Sequence, residues 1–219
     1  MSTGISIRTI VQDEGIIVPA NDVINFTGAG VTVTNVGGAA QVNIPSIAIT
    51  SYGVYAQTAL GTQITNTLIE TSLVGTGVGT LTVPANAFQI GDSFTAKMCG
   101  NLSCANNDTI HIRVKSNGIT IADAGVFQMK ITTNKYFELT LDFTVSKIGG
   151  TGVAELLVNG QYAYNHNSLG DLSGTNFALI SNTTFDTTIA NALTITAQWG
   201  AAVPANSIQS QNFVLQKVY

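Results

Sequence analysis

Charge is scarce in this chain of 219 residues, at 9% of side chains against about a quarter in an average soluble domain. Lys and Arg total 8, Asp and Glu total 12, and the net charge is −4. The few basic residues are scattered, which excludes the basic stripe needed to hold a nucleic-acid backbone. Histidine is limited to His111 and His166, and cysteine to Cys99 and Cys104. So small and dispersed a set of ligands excludes a zinc site. No apolar run approaches the roughly 18 residues of a membrane-spanning helix. The N-terminal MSTGISIRTIVQDEG has neither a basic n-region nor an apolar h-region, so the expectation is synthesis in a cytoplasm without an export signal, with both thiols reduced there.

Catalytic patterns are equally sparse. There is no Gly-x-Ser-x-Gly elbow, and two histidines leave little choice of general base. No motif singles out a pair of carboxylates for glycoside cleavage; Asp123, Asp142, Glu155 and Asp171 read as solvent-facing or turn residues. Gly28-Ala29-Gly30 and Gly75-Thr76-Gly77-Val78-Gly79 neither open a helix nor precede Lys-Ser/Thr, so they punctuate strands rather than cradle phosphate. The expectation is a protein that is not an enzyme and takes no cofactor or metal.

What the sequence does have is period-2 alternation. Phe137, Leu139, Leu141, Phe143 and Val145 interleave with Glu138, Thr140, Asp142, Thr144 and Ser146, giving one apolar and one polar face. Ile110, Ile112 and Val114 alternate with His111, Arg113 and Lys115, and Leu193, Ile195, Ala197 and Trp199 with Thr194, Thr196 and Gln198. Asn117-Gly118 and Asn159-Gly160 are the strongest tight-hairpin signals. These patterns predict an all-β chain: a small N-terminal β-module over 1–46, then an antiparallel jelly-roll or β-sandwich over 47–219. The segment Phe213–Tyr219 is apolar on both faces, which predicts one face in the core and the other at a three-fold subunit interface.

Candidate ligand chemistry gathers between Tyr162 and Leu172. Tyr162 and Tyr164 offer rings for stacking on sugar, while Asn165, His166, Asn167 and Asp171 could bond hydroxyls. The competing reading is the end of a strand leading into a loop. His111, on the polar face of its strand, reads as a solvated histidine, and Trp199 as a core or interface anchor.

Val11-Gln12-Asp13-Glu14-Gly15, the run Ile24 to Val33, and Val42-Asn43-Ile44-Pro45 resemble a short β-module of phage structural and fibre proteins. Thr80 to Asn86, Gly91 to Phe94, Gln198-Trp199-Gly200, Asn206-Ser207-Ile208 and Asn212 to Leu215 resemble jelly-roll (TNF/C1q-like) head domains of trimeric phage and giant-virus fibres. The resemblance implies a homotrimeric virion protein, a fibre, head fibre or capsid decoration, assembled in the host cytoplasm. Its implied partners are itself, other virion proteins of capsid or tail, and a host-surface glycan, with no nucleic acid and no membrane insertion. It carries over no catalytic residue. The alternative expectation is a carbohydrate-binding, lectin-like sandwich not tied to a particle.

Overall fold

The computed structural model describes residues 53–167, 171–182 and 184–219, together with four short strands nearer the N-terminus. Contacts divide the chain into two compact units, Met1–Ala48 and Ile49–Tyr219. In the first unit β1 (Gln12–Asp13) pairs with β2 (Ile16–Ile17), and β3 (Thr32–Val36) with β4 (Ala39–Asn43). Both pairs are antiparallel, with Asp13 opposite Ile16 and Val36 opposite Ala39. The Gly28-Ala29-Gly30 punctuation lies outside the described residues.

The second unit begins with five short strands: β5 (Gly53–Gln57), β6 (Ile64–Thr65), β7 (Thr71–Ser72), β8 (Gly77–Gly79) and β9 (Thr82–Val83). Long strands follow: β10 (Ser93–Cys104), β11 (Thr109–Ser116), β12 (Ile119–Gln128), β13 (Thr132–Lys147) and β14 (Glu155–Asn165). The last three are β15 (Leu172–Asn182), β16 (Asn191–Trp199) and β17 (Ser207–Lys217). The larger sheet runs β15-β14-β13-β10-β17-β5-β8 with β6 on β17; the smaller runs β12-β11-β16-β7 with β9 on β16. Every ladder is antiparallel, so the unit is an antiparallel β-sandwich.

The alternation in the sequence is what seals it. Phe137, Leu139, Leu141, Phe143 and Val145 of β13 all turn inward, as do Ile110, Ile112 and Val114 of β11 and Ile195, Ala197 and Trp199 of β16. They merge into one core with Met98, Phe213 and Leu215; each large side chain so buried contributes roughly 1.5–3 kcal/mol. Trp199 is a core residue whose Nε1 donates to the Ile64 carbonyl at 3.1 Å.

The two Asn-Gly signals divide. Asn117 and Gly118 both take positive φ, 47° and 82°, as a type I′ turn requires, and join β11 to β12. Asn159-Gly160 is not a turn: it lies inside β14, where the register with β15 jumps from Val158↔Ile180 to Gly160↔Phe177. That jump leaves an extra residue on β15, a β-bulge, which bends the strand and increases its twist.

Cys99 and Cys104 are both free. They lie on opposite faces of β10, Cys104 among the buried positions, and five residues of strand separate them by roughly 16 Å. A disulfide would require that strand to break.

Candidate functional site

Of the six residues expected to meet sugar, the pleat of β14 places Tyr162, Tyr164 and Asn165, and His166, Asn167 and Asp171 lie between β14 and β15. Tyr162 and Tyr164 continue the inward face begun by Leu156 and Val158, and both are 0% exposed. Their rings stack at 6.1 Å, and Tyr162 also packs on Phe137 and Tyr164 on Phe127. His166 is buried, with Nε2 3.6 Å from Asp171 Oδ2. Asn165 is half-buried, and the exposed Asn167 accepts from the Thr133 N–H through Oδ1 at 3.0 Å. Only Asn167 and Asp171 of the set are exposed. The aromatic stacking platform expected here is therefore corrected: the tyrosines are core, because period 2 carries the apolar face of β14 through both of them.

A different surface gathers unspent polar chemistry. On the outer face of the larger sheet, register sets Thr140 beside Gln161 and Gln161 beside Asn176, with Asp142 beside Asn159 one step along. These five side chains, with Gly160 and Phe177 beneath, line an open groove of about 510 Å³. Thr95 Oγ1 donates to Asp142 Oδ1 at 2.6 Å, fixing the carboxylate. The side chains of Thr140, Asn159, Gln161 and Asn176 make no hydrogen bond among the described residues. The groove lies at the bulge, where β15 bends next to Asn159. Gly160 allows the close approach, since a Cβ there would stand 2.5 Å from Leu141 Cδ2 and 2.6 Å from the Thr140 carbonyl.

Three amides, a hydroxyl and one carboxylate supply both donors and acceptors without a cation. That lining suits an uncharged polyhydroxylated ligand rather than a phosphate or a peptide with an apolar anchor. In the sequence only Thr140 and Asp142 are legible as part of a polar face; the nearest further signal is the Asn159-Gly160 pair, which reads as a hairpin.

The outer face of the smaller sheet is used differently. Arg113 donates to His111 Nδ1 at 2.6 Å, so the network assigns the proton to His111 Nε2, which donates to Asp123 Oδ1 at 2.5 Å. Arg113 also meets Glu70 at 3.1 Å, and Lys115 meets Glu70 at 2.6 Å. Burial opposes ionisation of Glu70, but Lys115, Thr196 and Arg113 outweigh it and hold its carboxyl below the ordinary value. Burial likewise opposes ionisation of Asp123, and the Gly125 N–H, His111 and Arg113 bring it below its ordinary value. His111 is thus a partnered residue of a closed network rather than a solvated one. The charged groups of this network are thus spent on one another. Among the described residues no group of three or more His, Cys, Asp or Glu could hold a metal ion.

No protein-family model matches the chain, and no curated protein matches it. Among solved structures the chain is similar to the one titled "Structure of the CBM2 module of Lactobacillus casei BL23 phage J-1 evolved Dit", at 10% identity over 62% of this chain and 66% of that chain. The TM-score is 0.29, too low for a common fold, and the reading of the groove rests on this chain's own residues.

Proposed function

We propose that this chain is a non-enzymatic virion surface protein whose sandwich binds uncharged carbohydrate on the outer face of the larger sheet. The observation that carries the binding reading is the groove of Thr140, Asp142, Asn159, Gln161 and Asn176, four of whose side chains are unspent among the described residues. Single-site affinity for sugar on so open a surface would be weak, about millimolar, and raised on a particle by multivalency. Glycan-array binding by the full chain tests it: a neutral-glycan signal abolished by Gln161→Ala with Asn176→Ala is expected, and an array signal indifferent to those changes would sink the assignment.

Virion residence rests on the sequence resemblance to fibre and decoration proteins. The strand orders β5-β17-β10-β13 and β7-β16-β11-β12 support the jelly-roll reading, being the orders of its two four-stranded sheets. In that reading β14 and β15 are an added hairpin that widens one sheet, and they bring Asn159, Gln161 and Asn176 with them. A site grafted onto a common scaffold is the usual way such folds acquire function. Residues 1–46 are the attachment module in this account, and their deletion should leave a folded sandwich that no longer joins particles. Recovery of the protein free of particles, with glycan affinity intact, would favour the lectin-like alternative.

Homotrimer formation is what the resemblance implies. Phe213 and Leu215 of β17 are buried, while the outward Val214 stands next to Ala56 and Lys97 and between the exposed Asn212 and Gln216, so this outer face is mixed rather than apolar and the subunit contact is placed elsewhere. Light scattering should give three times the chain mass; a stable monomer at micromolar concentration would contradict it.

A further inference from the structure

We infer that the groove is one end of a longer track for a linear, uncharged oligosaccharide, with Tyr136 as its aromatic platform; this inference rests on the carbohydrate reading above. Tyr136 lies on the same outer face of β13 as Thr140 and Asp142. It is 45% exposed, whereas the other described aromatic side chains of the larger sheet are buried. Its hydroxyl donates to Glu138 Oε2, two residues along the same face, at 2.8 Å. A ring tied to that neighbour leans along the strand and is held in one place while nearly half exposed. Lys97 holds Glu138 from the next strand at 3.5 Å. Burial, reinforced by Glu138, raises the Tyr136 hydroxyl above its ordinary value, so the ring stays neutral.

The ground between platform and groove is low. Glu138 pairs with Ala163, and Ala163 with Gly174, so the row that separates Tyr136 from Gln161 and Asn176 carries two of the smallest side chains. From Tyr136 to Asp142 the strand covers roughly 20 Å, the length of a short oligosaccharide rather than of one sugar. Along it come an aromatic face for sugar C–H surfaces, then a low floor, then amides and a hydroxyl for ring hydroxyls. Lys97, Glu138 and Asp142 leave the track slightly negative, which selects an uncharged chain over an acidic one.

Calorimetric titration of the full chain with malto-, cello- and chito-oligosaccharides, from single sugars to about hexamers, tests the track, with oligogalacturonides as the acidic counterpart. Affinity for one neutral series should rise with length over the first few units and then level. Tyr136→Ala should weaken the longer oligomers about tenfold and leave single sugars unchanged, while Tyr136→Phe, which keeps the ring, should retain most of the affinity. An unchanged melting temperature in both variants shows the effect to be local. Affinity that is independent of length, or that survives Tyr136→Ala while Gln161→Ala removes it, overturns the track and leaves the groove standing. No binding in any series, a preference for the acidic one, or burial of this face between copies of the chain overturns both.

Discussion

Tyr162 and Tyr164 stack on each other inside the core, ring centroids 6.1 Å apart and planes 22° from parallel, yet their hydroxyls are treated differently. Tyr164 accepts from the Lys130 N–H at 2.9 Å, whereas the buried Tyr162 hydroxyl has no partner among the described residues. An unsatisfied buried hydroxyl costs about 1–3 kcal/mol. Tyr162→Phe should therefore leave stability unchanged or raise it by about 1 kcal/mol, while Tyr164→Phe should lower it by about the same amount. Tyr164→Ala should cost about 3–5 kcal/mol through the cavity it leaves. Denaturant unfolding checks all three.

Acid should act first on the smaller sheet. Glu70 and Asp123 both have folded-state pKa values below their ordinary ones. Each therefore contributes stability that is full above its unfolded pKa and is lost as pH falls through the folded pKa. Stability should hold down to about pH 5 and decline below about pH 4. Glu70→Gln should lower stability at pH 7 and flatten that acid limb, and melting temperatures taken across pH will show it.

The two thiols should behave unequally. Burial raises the Cys104 thiol above its ordinary value, with Asp108 adding to the effect, and its Sγ donates to the Lys130 carbonyl at 2.9 Å. Cys99 lies half-exposed on the other face. A maleimide should label the native protein once, at Cys99, and twice in denaturant. Added reductant should leave the melting temperature unchanged; a fall would reveal a cross-link.

Much of the sandwich was legible because alternation is a local property. Phe137 to Val145 needs no knowledge of its neighbours to declare an inward and an outward face, and Asn117-Gly118 sits where its backbone preference is used. Tyr162 and Tyr164 were legible too, since they extend the Leu156 and Val158 register; the aromatic and amide composition drew the reading to a loop instead. Asn159-Gly160 misled because a bulge and a tight turn draw on the same residues. The groove itself was not legible. It exists only where β13, β14 and β15 lie in one register, and nothing in a single strand announces that Gln161 will stand between Thr140 and Asn176.

Gly160 joins stability to binding. A methyl group there would press on Leu141 and the Thr140 carbonyl, so Gly160→Ala should cost about 1–3 kcal/mol and part β13 from β14 at the groove floor. Sugar affinity should fall with it, whereas Gly118→Ala, in open space at a distant turn, should affect stability alone. Parallel melting and titration of the two variants separates these outcomes.

Carbohydrate binding by the outer face of the larger sheet can be read residue by residue, by chemical-shift mapping of the isotopically labelled chain titrated with the neutral oligosaccharide that binds best. Perturbations should concentrate at Thr140, Asp142, Asn159, Gln161 and Asn176 and extend along β13 to Tyr136. Shifts confined to Asn167 and Asp171, to the outer face of the smaller sheet, or to no surface at all would contradict it.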